Sequence, residues 1–163
     1  MRIVAFFSVL TAATLCSAQP LPLKDRVLVL VNDRMPKEAG TGNEGAGVFV
    51  GRYYAARRNI PAANVLHLKT AITEETSMED YKAQIETPVR KFLDANGGAM
   101  RKKILYIVPT YGVPVRIADK FAVDSVLVMM YALGTTDLSL FSSGKNRNLR
   151  GLVVSQVLSA SSV

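Results

Sequence analysis

Catalysis or tight binding needs a nucleophile with a base, a metal cage, or a cradle for phosphate. This sequence offers only fragments of each. Gly40-x-Gly42-x-x-Gly45 has the spacing of a dinucleotide-binding turn. In that turn the first glycine follows a strand directly, so that the next helix meets the pyrophosphate end-on. Here residues 33–39 separate the apolar run ending at Asn32 from Gly40, and the next apolar run ends at Lys69-Thr70 without an acid to hold a ribose. The segment is read as a flexible glycine loop, and no cofactor is expected. His67, the single histidine, lies between Leu66 and Leu68 with no G-x-S-x-G turn elsewhere. It is read as a packed or half-exposed strand residue rather than a catalyst. One Cys and one His cannot build a zinc cluster or a disulfide framework, so no metal is expected. Asp124 opens an apolar run and suits a helix N-cap, with a buried acid–base carboxylate as the functional alternative. The pairs Glu74-Glu75 and Glu79-Asp80 suit a helix dipole and solvation.

These residues must be held by elements that the hydrophobic pattern marks out. Arg26–Asn32 (RVLVLVN) is an apolar run without polar alternation, the pattern of a central parallel strand covered on both faces. Asn64–Lys69 and Lys103–Val108 read as two further strands, and residues 19–25 as an extended leader. Asp33–Gly47 is a loop by its glycines and Pro36, and Pro109–Lys120 by Gly112 and Pro114. Val48–Arg58 is a predicted helix, with Phe49, Val50, Tyr53 and Tyr54 recurring on its apolar side and Arg52, Arg57 and Arg58 on the wet side. Asn59-Ile60-Pro61 stops it. Over Ser77–Asn96 the residues Met78, Tyr81, Ile85, Val89, Phe92 and Leu93 share one helical face. Ser77 and Asp80 resemble a capping box, and Asn96-Gly97-Gly98 ends the helix. Pro88 predicts a kink, or a second helix capped by Thr87. Ala122–Leu133, apolar almost all round, predicts a buried helix, and Thr135–Arg150 a loop. Leu152–Leu158 reads as a fourth strand or the start of a helix.

Strand, helix, strand, helix, strand, helix is the order of an α/β fold with right-handed crossovers. The expectation is a small three-layer parallel sheet of three to four strands with flanking helices, forming one domain over 19–163. Three strands make a thin sheet, so a fourth strand, further chain or a second subunit is needed to cover it. Ligands of such sheets gather beyond the carboxyl ends of the strands. That edge collects Asp33, Thr110, Tyr111, Arg116 and Asp124 as a candidate polar cluster for an anion or metal.

Residues 1–18 have a positive start at Arg2, an apolar stretch from Ile3 to Leu15, and a small-residue end at Cys16-Ser17-Ala18. That is the layout of a secretory signal peptide, with cleavage expected after Ala18. An uncleaved anchor is the alternative. Lipidation of Cys16 is disfavoured by Leu15, which stands where a small residue is needed. A mature chain from Gln19 has no cysteine, so a cysteine nucleophile is excluded. No second apolar run is long enough to span a membrane. The 163 residues carry a formal charge of +7, with the basic residues spread along the chain. No aromatic residues interleave with the basic groups, so no nucleic-acid groove is expected. Solubility explains the charge best, with an anionic ligand or envelope polymer as the partner class left open.

Three segments taken together carry a resemblance. They are Val27–Asn32, then Tyr53-Tyr54-Ala55 through Arg58 with Ile60–Val65, then Lys103–Val108 with Gly112-Val113-Pro114 and Arg116, followed by Val123-Asp124-Ser125. The pattern, spanning roughly residues 26–131, resembles a conserved hypothetical family of bacterial exported proteins of unknown function. Members of that family are longer, so the resemblance implies that this chain is an N-terminal portion of such a protein. It implies no activity and no site residues. Two functions follow as expectations. One is a non-catalytic, ligand-binding exported domain. The other is the first part of an exported hydrolase, caspase-like by analogy of strand order or another α/β type, whose catalytic residues lie in sequence beyond this chain.

Overall fold

Val27–Asn32 forms strand β1, and every residue after Val27 is buried. An all-apolar strand is stable only when covered on both faces, and it sits at the centre of a parallel sheet. This computed structural model describes residues 21–118 and 120–133. The expected signal peptide, the loop over 135–150 and the run 152–158 lie outside the described residues. The second strand, β2 (Val65–Leu68), pairs with β1 through Val29↔Val65 to Asn32↔Leu68. The third in the sheet, β4 (Tyr106–Pro109), pairs on the other side through Val27↔Tyr106 to Leu30↔Pro109. The order is β2-β1-β4, all parallel.

Alternation along β1 divides the core in two. Val29 and Val31 face helix α1 (Ala46–Arg57), packing with Ala55 and Ile60. Leu28 and Leu30 face the other side, with Tyr81, Ile85, Val89 and Leu93, and with Val126, Leu127 and Met130 of α4 (Val123–Leu133). Helices therefore cover both faces of the sheet. The α1 face departs from the sequence expectation. Its buried residues are Ala46, Gly47, Gly51 and Ala55, while Tyr53 is 57% exposed. Small residues at a spacing of four let the helix backbone lie close on β1, which leaves the larger side chains along its flank. Asn59 turns the chain out of α1 at φ 54.

The second crossover starts at Ser77, whose Oγ accepts the Asp80 N–H at 3.0 Å and donates to Asp80 Oδ2 at 2.9 Å. A short helix α2 (Met78–Asp80) leads into a π-helical turn over Tyr81–Glu86 and then α3 (Thr87–Lys103). The expected new cap at Thr87 is not formed. Thr87 is helical, and its N–H reaches back five residues to the Lys82 carbonyl. The wider turn moves the carbonyls off the Pro88 ring, so the helix passes the proline without a break. The break comes at Ala95–Gly98, where Asn96, Gly97 and Gly98 are left-handed, and helix then resumes as far as Lys103. This delays the next strand: Lys103 is the last residue of α3, and β4 begins at Tyr106. The leader also differs, with a single 3-10 turn at Leu23–Arg26 closed by Asp25 N–H to the Pro22 carbonyl. A second, small sheet joins β3 (Glu75–Thr76), β5 (Arg116–Ile117) and β6 (Phe121–Ala122) in the order β3-β5-β6. Two-residue strands have no periodicity to read, so this sheet is invisible in the sequence.

Tyr81 is fully buried, and its hydroxyl has no hydrogen-bond partner among the described residues. Burial first, and then the Glu86 carboxylate, push its ionisation far above the ordinary tyrosine range. Unfolding frees a phenol that ionises near pH 10. Its contribution is therefore intact below that pH and is lost progressively as the pH rises above it toward the raised folded-state value. Tyr81→Phe is expected to stabilise the protein at neutral pH by about 1–3 kcal/mol, because it removes a buried hydroxyl that has no partner among the described residues. It should also blunt the alkaline loss. Urea midpoints of both proteins at neutral pH and at about pH 11 check this.

Candidate functional site

The chain leaves β1 for β2 through α1, then crosses to β4 on the far side of β1. The strand order reverses between β1 and β4, the place where ligands of open parallel sheets bind. Three segments meet there, and one buried side chain ties them together. Asn32, the last residue of β1, donates from Nδ2 to the carbonyls of Gly112 (2.7 Å), Ala71 (3.1 Å) and Thr70 (3.3 Å). Its Oδ1 accepts the N–H groups of Arg34 (3.1 Å) and Thr70 (3.2 Å). With carbonyls facing one end of the amide and N–H groups the other, the orientation of the side chain is fixed by its partners. Asn64 does related work at the opposite edge, donating to the Asp25 and Val27 carbonyls.

Beside this junction runs a groove of about 1000 Å³. Its wall is the flank of α1, with Val50, Tyr53, Tyr54, Arg57 and Arg58; its floor is Val108 and Thr110; its far rim is Val113, Val115, Val123 and Asp124. The Arg57 guanidinium lies 5.7 Å from the Tyr53 ring centre, and that of Arg58 lies 4.8 Å from Tyr54. Cations stacked on aromatic faces keep their N–H donors pointing outward. Among the described residues neither guanidinium is engaged by a carboxylate.

The five residues of the expected cluster fall into three places. Thr110, Tyr111 and Asp124 line the groove. Thr110 also solves a local problem. Pro109 has no N–H for the Leu30 carbonyl, and Thr110 supplies two donors in its place, N–H at 3.0 Å and Oγ1 at 2.7 Å. The Tyr111 hydroxyl donates to Glu38 Oε1 at 3.2 Å, and that carboxylate's charge, with the hydrogen bond, raises the phenol's pKa. Asp124 is the second residue of α4 rather than its cap, and its Oδ1 accepts the Ser125 N–H at 2.6 Å. Arg116 stands apart in β5, 3.9 Å from Glu74 and half-exposed. Asp33 also lies outside the groove, paired with His67 at Oδ1–Nδ1 2.7 Å. The two face the same side because His67 pairs with Val31, two residues before Asp33. A carboxylate on Nδ1 orients the imidazole and leaves Nε2 free, which is half of a triad. No hydroxyl or thiol is hydrogen-bonded to His67 among the described residues.

Arg57 and Arg58 are exposed, as expected, and Tyr54 is half-buried against the Val29/Val31 core, whereas Tyr53, expected on the apolar side, is exposed along the groove. The available signal was the small-residue stripe Gly47, Gly51 and Ala55, which marks the true packing face. The glycine run before α1 is tied by hydrogen bonds centred on Thr41. Gly40 and Gly42 have φ 88 and 65, and between them Thr41 Oγ1 accepts the Glu38 N–H at 3.1 Å and lies 2.9 Å from both the Glu38 and Glu44 carbonyls, which share its one proton. Met35 fills the space between Gly47 and Gly112, beside the N-terminus of α1. Among the described residues, no group of three or more metal-ligating side chains is found, and no helix is long and apolar enough to cross a membrane. Comparison with family models, curated proteins and solved structures gives no match.

Proposed function

We propose that this chain is an exported α/β domain that binds an anionic ligand without transforming it, in the groove between α1 and β4. The ligand carries a carboxylate, sulfate or phosphate on an apolar or aromatic body. The observation that carries this reading is the pair of arginines stacked on Tyr53 and Tyr54 along the wall of the groove. The apolar wall and floor take the body, and the guanidinium N–H groups take the charge. An envelope polymer with regularly spaced acids fits the same description, and export to the periplasm or beyond accords with the leader at residues 1–18.

The test is calorimetric titration with an aryl sulfonate as probe and its neutral sulfonamide as control. The sulfonate should bind saturably and more weakly as salt is raised. With both guanidiniums replaced in Arg57→Gln/Arg58→Gln, affinity should fall about tenfold or more, since a charge-assisted hydrogen bond contributes about 1.5–3 kcal/mol. Equal binding of sulfonate and sulfonamide, or an unchanged double variant, would refute the reading.

A further inference from the structure

The charged side chains that line the groove, among the described residues, are sorted by sign. Arg57 and Arg58 close α1, whereas Glu74 and Asp124 lie together beside Val115. The Val115 N–H bonds the Glu74 carbonyl at 2.8 Å, and the Val115 carbonyl takes the Val123 N–H at 3.0 Å. Both acids belong to segments that follow the carboxyl ends of strands, Glu74 after β2 and Asp124 after β4. The arginines lie the other way. α1 joins two parallel strands, so it runs back toward their amino ends. A Cβ at Gly51 would be 3.3 Å from Thr110 Oγ1, which sets Gly51 level with the end of β4. From Gly51 to Arg57 the helix advances about 9 Å. The groove thus has a basic pole and an acidic pole. The acids are also free to act. Ser125 N–H at 2.6 Å and Ser125 Oγ at 3.3 Å both meet Asp124 at Oδ1, and Oδ2 has no hydrogen-bond partner among the described residues. The Glu74 side chain is 84% exposed and 3.9 Å from Arg116, a pairing of little strength.

Resting on the reading of the groove as an anion site, we propose that its ligand is elongated and dipolar. Its carboxylate lies at Arg57 and Arg58, and an ammonium at the far end lies at Asp124 and Glu74. A site for a simple anion is weakened by each unpaired carboxylate on its lining, because like charges brought together oppose binding. A ligand with a cation at its other end turns the same carboxylates into charge-assisted hydrogen-bond acceptors. Between the poles the lining is apolar, with Val50, Val108 and Val113, and suits an uncharged body. The spacing of the poles selects the length. An extended tripeptide with free termini spans about 10 Å. A single amino acid is too short to reach both ends. The two poles also fix the direction in which such a molecule lies, with its amino end toward α4 and its carboxyl end toward the close of α1.

The experiment is calorimetric titration of the full chain with the tripeptide Val-Ala-Phe, its N-acetyl form and its C-terminal amide. The free tripeptide should bind saturably, and acetylation should weaken it about fivefold or more by removing the cation. In Glu74→Gln/Asp124→Asn the free tripeptide should weaken to the same degree, and acetylation should then cost less than about twofold. That variant should bind the aryl sulfonate at least as tightly as the parent, since two repelling charges are gone, which also reports that it folds. Amidation should weaken binding to the parent and cost little further in Arg57→Gln/Arg58→Gln. Equal binding of free and acetylated tripeptide by the parent would overturn the proposal, as would an acetylation penalty that persists without the two acids. If the aryl sulfonate still binds in either case, the anion site stands and only the acidic pole is lost. If neither tripeptide nor sulfonate binds, both readings fail together.

Discussion

Asn32→Leu is expected to lower the unfolding free energy by about 4 kcal/mol, because each buried group left without a partner costs about 1–3 kcal/mol. The shape changes little, but the chemistry is lost at every contact. Five hydrogen bonds converge on this amide, from segments that follow three different strands. Leucine leaves the Gly112 and Ala71 carbonyls without a donor and the Thr70 and Arg34 N–H groups without an acceptor. Asn32→Asp keeps the shape and the acceptor and removes both donors. A carboxylate then faces carbonyl oxygens in a fully buried position, so its folded-state pKa is raised. Stability of that variant should fall as pH rises above the pKa of an unfolded aspartate, since only the unfolded chain ionises freely there. Urea unfolding at several pH values separates the two cases. The leucine variant should be unstable at every pH, and the aspartate variant should recover toward acid. A leucine variant within about 1 kcal/mol of the parent would show that water replaces the amide at no cost.

Much of this architecture is legible in the sequence, for a physical reason. A strand buried on both faces must be apolar at every position, and Val27–Val31 is. A helix lying on a sheet must place its large residues at steps of three and four, and Tyr81, Ile85, Val89 and Leu93 do so. The parallel sheet and its crossovers follow from those two patterns. Where packing depends on the absence of a side chain, the same reasoning points the wrong way. On α1 the apolar pattern takes in Tyr53, which is exposed, whereas the helix buries Gly47, Gly51 and Ala55 and packs Tyr54 only partly against the same core. The π turn before Pro88 depends on which carbonyls the ring meets, and that is a property of the folded backbone. Of the residues that the strand-end rule collects, Thr110, Tyr111 and Asp124 line the groove. The rule also collects Asp33, which the structure pairs with His67, and Arg116, which belongs to the second sheet. Asn32 was visible only as the last letter of a strand, since nothing in its neighbours announces that three chain segments converge on it.

The small-residue face of α1 leads to the other large effect. A Cβ at Gly47 would stand 2.8 Å from the Asn32 carbonyl oxygen and 2.9 Å from that of Tyr111, with Met35 Cγ at 3.0 Å. Two of those walls are backbone at the sheet junction and cannot turn aside. Gly47→Ala should therefore lift the amino end of α1 and cost about 1–3 kcal/mol, the range for overpacking a well-filled core. The lift should also weaken aryl sulfonate binding, because Val50, Tyr53 and Tyr54 ride on the same helix. Gly51→Ala meets a different obstacle. Its Cβ would overlap Val31 Cγ1, and Thr110 Oγ1 is 3.3 Å away. That obstacle is a methyl group, and it can be removed. Val31→Ala should relieve Gly51→Ala, so the double variant loses less than the two single losses added together, with a coupling of about 0.5–3 kcal/mol. The same Val31→Ala should give no relief to Gly47→Ala, because it removes none of the three atoms that Cβ would meet. Urea midpoints for the three single variants and two doubles provide the comparison. If Val31→Ala rescues both glycine variants equally, α1 shifts as a rigid rod and the separate contacts do not matter. Rescue confined to Gly51 would establish that the close seat of α1 on β1 is set position by position, with Gly47 holding the helix against the edge where the groove opens.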